Sequence, residues 1–192
     1  ILVATSLTTA FLISPRVFYF FLVYQFFMWF YSHKLSKILI INNITFVSLT
    51  LYPFFGMMVY YHTFSGKVFL MAVFLFLMLL VMDILKDILT KNADKIFGYT
   101  TIPNTFGTRN AVNVVVALSV LLFTVSMLII SNTGIHSILP LYFAAGLFVI
   151  ILSVYLLLSS VKKSNFIVLN ILRIWVFVGI IAMLLDGIIE RF

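Results

Sequence analysis

Long apolar segments alternate with short polar ones along the whole chain. Most of these segments approach the roughly 20 apolar residues that a helix needs to cross the hydrocarbon core of a bilayer. Short polar groups such as Ser14-Pro15-Arg16 separate them. The pattern predicts seven segments, the first of them shorter than a full span, at residues 1–13, 17–32, 39–61, 67–86, 112–130, 138–159 and 166–188, with a polar loop at 90–110.

These segments are predicted to be helices. Backbone groups in lipid must be satisfied internally, which leaves helices and closed barrels as spanning structures. Barrel strands alternate apolar and polar residues, whereas the segments here are continuously apolar. We therefore expect an all-α, multi-pass transmembrane helical bundle, and we treat residues 1–192 as a single membrane-embedded domain.

The composition supports this interpretation and excludes a soluble domain. The chain is 64% hydrophobic and 9% charged, whereas soluble domains are about 25% charged. The net charge of +7 comes from basic residues scattered between apolar segments, which is typical of membrane topology and does not indicate a nucleic-acid partner. Because the chain has no cysteine, it uses neither disulfides nor thiolate metal sites.

Basic residues divide unevenly between the two ends of the predicted spans. One side receives three of them (Arg16, Lys67 and Arg191), and the other receives eight (Lys34, Lys37, Lys86, Lys91, Lys95, Arg109, Lys162 and Lys163). The positive-inside rule makes the second side cytoplasmic, in the cell inner membrane if the protein is bacterial. Arg173 alone falls within a segment; it either snorkels toward the cytoplasmic end or contacts a substrate or a polar helix partner.

Three of the five acidic residues, Asp83, Asp87 and Asp94, lie within twelve residues at the cytoplasmic end of the fourth segment. On a continuous helix all three fall within about 40° of one another, and Asp87 and Asp94 are separated by ~10 Å along the axis. Two Mg²⁺ ions bridging an elongated anion would suit this arrangement. Alternatively, the acids form ion pairs with Lys86, Lys91 or Lys95 at a helix end that is exposed to solvent.

The stretch KDILTKNADKIFGYTTIPNTFG at 86–107 resembles the second aspartate-rich motif of the UbiA superfamily of intramembrane prenyltransferases. The matching residues are Lys86, Asp87, Asp94, Lys95, Gly98, Thr101, Pro103 and Gly107. Thr90 and Ala93 depart from it, since many members carry an acid and a glycine there. The stretch at 31–43 is similar to the family's Tyr-Ser-x-x-Leu-Lys segment followed by Gly-Asn, with matches at or near Tyr31, Lys34, Lys37 and Asn43.

This resemblance implies a bundle of nine helices whose first two, with a first motif of the form Asn-Asp-x-x-Asp, precede the chain. It implies transfer of a prenyl chain from a prenyl diphosphate to a lipophilic or aromatic acceptor, a quinone or lipid precursor, with Mg²⁺ as the cofactor. Asp87 and Asp94 are then catalytic metal ligands, and Asp83 is a third metal ligand. The residues implied for the diphosphate are Tyr31, Lys34, Lys37, Asn43, Lys91 and Lys95.

Other functions remain open from the residues alone. A polytopic transporter or channel would use Asp83, Asp87 and Asp94 for cations or protons, and a structural subunit would need no metal. The lysines could serve only to set the orientation of the helices in the membrane. Asn42 and Asn43 could simply form hydrogen bonds between helices. The three histidines fall in separate connections and do not suggest a metal cluster; they are His33, His62 and His136.

Overall fold

The computed structural model describes residues 2–133, 137–159 and 163–189, and these ranges are helical with short connections and no strand. The helices are α1 (Leu2–Ile13), α2 (Pro15–His33), α3 (Ile41–Tyr60), α4 (Gly66–Ile96), α5 (Ile102–Thr105), α6 (Thr108–Asn132), α7 (Leu139–Leu158) and α8 (Ser164–Ile189), with a 3₁₀ turn at Leu35–Lys37. The predicted all-α helical bundle is confirmed.

Five of the described helices, α3, α4, α6, α7 and α8, are long and apolar enough to cross a membrane. The 12-residue α1 is shorter than a span, as its sequence predicts. The 19-residue α2 is not among the five, because its tyrosines, Trp29, Gln25 and terminal polar residues lower its mean hydropathy. Bilayer-crossing helices therefore make up most of the fold.

Helix α4 lies at the centre of the bundle. It contacts α3, α5, α6 and α8, and because α6 contacts α7 and α7 contacts α8, these helices close a ring around one core. The core is apolar and draws on all four long helices of the ring, for example through Met78, Val115, Phe143 and Val168. Helices α3, α2 and α1 extend from α4 as a row, each contacting the next.

The predicted polar loop at 90–110 is wrong over much of its length, because α4 continues to Ile96. Apolar spacing continues past the membrane segment, with Ile88 buried, and Thr90 donates a hydrogen bond to the backbone carbonyl of Lys86 (3.1 Å). Irregular backbone is confined to 97–101 and 106–107. Gly98 and Gly107 supply the positive φ angles (73° and 86°) of these turns, which side chains disfavour.

A buried acid at the far end of the bundle secures the start of α7. Asp186 of α8 accepts hydrogen bonds from the Ser137 hydroxyl (2.8 and 3.0 Å) and from the backbone N–H of Ile138 (2.8 Å). It thereby satisfies donors that a helix start leaves unpaired. This contact gives the acid a structural role in an otherwise apolar helix.

Helices α7 and α8 pack closely through an aromatic pair and a glycine. Tyr142 stacks on Trp175 with ring centroids 4.9 Å apart, and its hydroxyl donates to the backbone carbonyl of Trp175 (3.2 Å). A Cβ atom added to Gly179 would lie 2.6 Å from the Tyr142 hydroxyl oxygen. The missing side chain therefore allows the tyrosine to lie flat between the helices.

We expect Gly179→Ala to destabilise the bundle by about 1–3 kcal/mol, the usual cost of overpacking. Gly187→Ala is a matched control on the same helix, since nothing lies within 4 Å of a Cβ added there. Reversible denaturation in detergent micelles measures both variants. Equal stability of the two would show that Tyr142 moves aside freely.

Candidate functional site

Polar residues of several elements meet at one end of the bundle, where α2 and α4 end and α3 and α6 begin. The Thr100 hydroxyl donates a hydrogen bond to the backbone carbonyl of Lys37. On the other flank, Lys91 Nζ donates to the Thr108 hydroxyl (3.3 Å). The first contact brings the 31–43 stretch and the 86–107 stretch together, although they are distant in sequence, and the second joins α4 to the start of α6.

Two buried carboxylates share one amide at the centre of this end. Asn43 Nδ2 of α3 donates to Asp83 Oδ2 and to Asp87 Oδ2 of α4, at 2.8 Å each. The three residues are 2%, 7% and 5% exposed, respectively. Asp83 and Asp87 are one helical turn apart and so project from the same face. The Asn43 amide therefore holds two acidic groups side by side in a buried site.

Lys86 places a positive charge beside the Asp83 carboxylate. Its Nζ lies 3.7 Å from Asp83 Oδ1 and 5.3 Å from the centre of the Phe46 ring, a position that suits a cation–π contact. The Lys86 side chain is 51% exposed, so it lies at the rim of the site. Pairing of an acid with a lysine, one of the sequence interpretations, therefore holds for Asp83, whereas the bonded partner of Asp87 is Asn43.

Asp94 lies further along α4 and does not join the buried pair. It is partly buried, and its Oδ2 accepts a hydrogen bond from the Thr90 hydroxyl (2.8 Å). Within the described ranges, no three His, Cys, Asp or Glu side chains come together as a metal cluster. This agrees with the ~10 Å axial separation between Asp87 and Asp94 expected on a straight helix.

Tyr31 approaches the site from α2 through the neighbouring asparagine. Its hydroxyl donates to Asn42 Oδ1 (2.7 Å), and Asn42 precedes the Asn43 that holds the two acids. Asn42 thus connects α3 to α2, while Asn43 connects α3 to α4. The interpretation that both asparagines bond between helices is correct, and Asn43 does so with two of the three predicted metal ligands, Asp83 and Asp87.

The remaining predicted diphosphate ligands lie around this centre. Lys34, Lys37 and Lys95 are exposed, and within the described residues their side chains make no hydrogen bond or ion pair. Their ammonium groups are free to move toward an anion. Lys91 is partly buried and is held by Thr108 at the start of α6.

The donor set of the site fits Mg²⁺. Hard divalent cations take oxygen ligands, and Mg²⁺ usually binds one or two carboxylates with water and substrate phosphate. Asp83 and Asp87 supply two adjacent carboxylates. Asn43 Oδ1 is buried and has no hydrogen-bond partner, so the site also contains an amide oxygen whose bonding is incomplete. Asp94 is a further carboxylate on the path toward the exposed end of α4.

Sequence reasoning missed several contributors to the site. Phe46 carried no motif signal. Asn42 was considered only as a hydrogen-bonding group between helices, and Lys86 as a motif match and an ion-pair partner of the acids, without a contact to an aromatic ring. Thr100 and Thr108 could not be assigned, because their contacts depend on how distant segments meet.

His33, His62 and Arg173 make no contact with the residues of the site. His33 contacts the backbone carbonyl of Trp29 (2.9 Å), His62 is exposed at the end of α3, and His136 falls outside the described residues. Arg173 is exposed on α8.

Comparison with known families gives a match that covers nearly the whole chain. The model of the UbiA prenyltransferase family matches residues 1–183, a range that includes every residue of the site described above. No curated protein and no solved structure matches the chain. Because the family match extends far beyond half of the sequence, the chain belongs to the UbiA prenyltransferase family.

Proposed function

We propose that the protein transfers a prenyl chain from a prenyl diphosphate to a lipophilic or aromatic acceptor within the membrane, with Mg²⁺ as cofactor. Membership of the family supports an intramembrane prenyltransferase in general. The observation that carries the proposal is the buried Asp83–Asp87 pair, held by Asn43 at the polar end of an apolar bundle. A quinone or lipid precursor is the proposed acceptor class.

The site suits a substrate with a charged head and a hydrocarbon tail. Asp83 and Asp87 would hold the metal ion with the Asn43 amide oxygen, and Asp94 would serve a second ion further out. Lys34, Lys37, Lys91 and Lys95 would contact the diphosphate, together with the Tyr31 hydroxyl. The apolar helices below would accept the tail. We place this end of the bundle on the cytoplasmic side, because most basic residues lie there.

Reaction begins when the bond between the allylic carbon and the diphosphate oxygen breaks, and its electron pair leaves with the diphosphate. Mg²⁺ held by Asp83 and Asp87 would neutralise the charge of that leaving group. The lysines add positive charge in a site whose buried part is shielded from water, where electrostatic stabilisation is strongest. The acceptor then forms the new bond to carbon and loses a proton, which the released diphosphate takes up. The π faces of Phe46 and Tyr31 at the rim can stabilise the allylic cation.

Transport of cations or protons is the alternative that uses the same acids. Transporters usually place ionisable groups at broken helices near the bilayer midplane. Here the acids lie on the continuous helix α4, and the segment after it turns through Gly98 toward the 3₁₀ turn. Because the acids lie at the polar end of the bundle, they favour a binding site for a charged substrate head group over a path for ion conduction.

Membranes containing the complete gene product test the proposal. They are incubated with radiolabelled prenyl diphosphates of several chain lengths and a panel of quinone and lipid precursors, with Mg²⁺ or with EDTA. We expect labelled lipophilic product in the Mg²⁺ samples and none with EDTA. Absence of product with every acceptor would contradict transfer, and equal product with EDTA would contradict the metal role.

Asp94→Asn tests whether the outer acid belongs to the same machinery. We expect turnover to fall by about 10²–10³-fold, the scale of losing one electrostatic group in an active site, with insertion into the membrane unchanged. Thr90→Ala is the matched control, since it removes the hydrogen bond to Asp94 and leaves the carboxylate. Full activity of Asp94→Asn would remove Asp94 from the metal site.

A further inference from the structure

When both carboxylates are ionised, the buried acid pair carries two negative charges, and the described protein balances one of them. Asp83 and Asp87 share the neutral Asn43 amide. Within the described ranges, the one ion pair to either acid is the contact of Lys86 Nζ with Asp83 Oδ1 (3.7 Å). Uncompensated charge in a buried site is costly. The pair therefore holds one lysine where two positive charges would balance it.

The contact between Lys86 and Asp83 is loose enough to be exchanged. The distance of 3.7 Å is longer than a hydrogen bond, and the Lys86 side chain is 51% exposed, whereas Asp83 is buried. Ion pairs that are open to water contribute little to stability. The ammonium group can thus leave the carboxylate at low cost, while Asn43 holds the carboxylate in place through its other oxygen.

A second favourable contact for the ammonium group lies beside the first. Lys86 Nζ is 5.3 Å from the centre of the Phe46 ring, within the range of a cation–π contact. Phe46 is itself 39% exposed, so the ring reaches the open rim of the site. A lysine that leaves Asp83 can therefore keep its contact with the ring and face the solvent side of the site.

Binding of a divalent cation changes this charge balance. The two carboxylates neutralise one such ion by themselves, and the positive charge of Lys86 is then in excess beside it. Like charges repel strongly at such short range in a partly buried site. The ammonium group is therefore driven away from Asp83 toward the rim, where an anion stabilises it. In the proposed reaction, the anion that approaches this rim is the diphosphate of the substrate.

We propose that Lys86 is an exchangeable counter-ion of the acid pair: its ammonium group neutralises Asp83 in the metal-free protein, leaves Asp83 when Mg²⁺ binds, and then faces the diphosphate beside the Phe46 ring. The inference rests on the proposed function, because it requires that Asp83 and Asp87 bind the metal ion. Lys86 competes with the metal ion and attracts the diphosphate, so each ligand favours binding of the other. The lysine thereby makes metal binding depend on the presence of substrate.

Binding of Mn²⁺ to the full chain in detergent micelles, measured by electron paramagnetic resonance of the free ion, tests the exchange without turnover. We expect Lys86→Gln to bind Mn²⁺ roughly three- to tenfold more tightly than wild type, because no ammonium group competes for Asp83. At saturating Mn²⁺, the same variant is expected to bind inorganic diphosphate about three- to tenfold more weakly, since a charge-assisted contact is lost. Lys86→Arg keeps the charge and should bring both affinities back toward wild type.

Lys67→Gln is the matched control, because it removes a lysine from the other end of the same helix, about 24 Å along the axis from Asp83. Opposite changes in the two affinities of Lys86→Gln, with Lys67→Gln unchanged, support the proposal. Unchanged or weaker Mn²⁺ binding in Lys86→Gln overturns it, and so does unchanged diphosphate binding. Absence of Mn²⁺ binding in wild type would instead contradict the metal site itself, and with it the proposed function.

Discussion

Asp87→Asn is expected to reduce prenyl transfer by about 10²–10³-fold while leaving the protein folded and inserted. Asp87 is 5% exposed, and its Oδ2 accepts from Asn43. Asparagine keeps the volume and can still accept that hydrogen bond through its amide oxygen, but it removes the negative charge that attracts a divalent cation. The measurement is turnover of labelled prenyl diphosphate at saturating Mg²⁺, with protein amount matched.

Asp186→Asn is the control for this result. It makes the same change in another buried aspartate, whose partners are Ser137 and Ile138 at the opposite end of the bundle. We expect Asp186→Asn to lower stability slightly and to leave transfer per folded molecule near wild type. Near-normal turnover in Asp87→Asn would contradict the metal role of this residue, and parallel losses in both variants would indicate a general folding effect.

The fold was predictable because it follows from hydropathy. Apolar segments of span length have few stable arrangements in lipid other than helices, so the long apolar helices could be placed from hydropathy alone. The end of α4 was not predictable in the same way. The polar composition of 90–96 suggested a loop, yet Ile88 is buried and Thr90 bonds along the helix, and these tertiary and local contacts extend α4 beyond the membrane segment.

The site was predictable in its residues and less so in their contacts. Helical periodicity placed Asp83 and Asp87 on one face without any structure. Asn43 was predicted at a substrate position through a resemblance, whereas its observed contact is with the two acids themselves. That contact joins α3 to α4 across a sequence separation of forty residues or more, and no local pattern encodes which polar groups of two helices will meet.

Asn43 therefore allows a test of how the acid pair is held. Asn43→Asp places a third carboxyl group against Asp83 and Asp87 in a buried site and removes their shared donor. Unpaired buried polar groups cost about 1–3 kcal/mol each, and more when they are charged, so we expect a destabilisation of at least that size and loss of transfer. Asn42→Ala is the neighbouring control, since it breaks only the contact with Tyr31.

The double variant Asn43→Asp with Asp83→Asn makes this prediction specific. It exchanges the amide and the carboxylate between α3 and α4, so the amide at position 83 can donate to the new acid at 43 or to Asp87. Contacting residues show coupling of about 0.5–3 kcal/mol in such cycles, and we expect the double variant to recover much of the stability lost in Asn43→Asp. The free energies of unfolding of Asn43→Asp, Asp83→Asn and the double variant, each relative to wild type, are measured in mixed micelles. Additive losses in the double variant would show that Asn43 does not hold the pair through its amide, and the carboxylates would then owe their alignment to α4 alone.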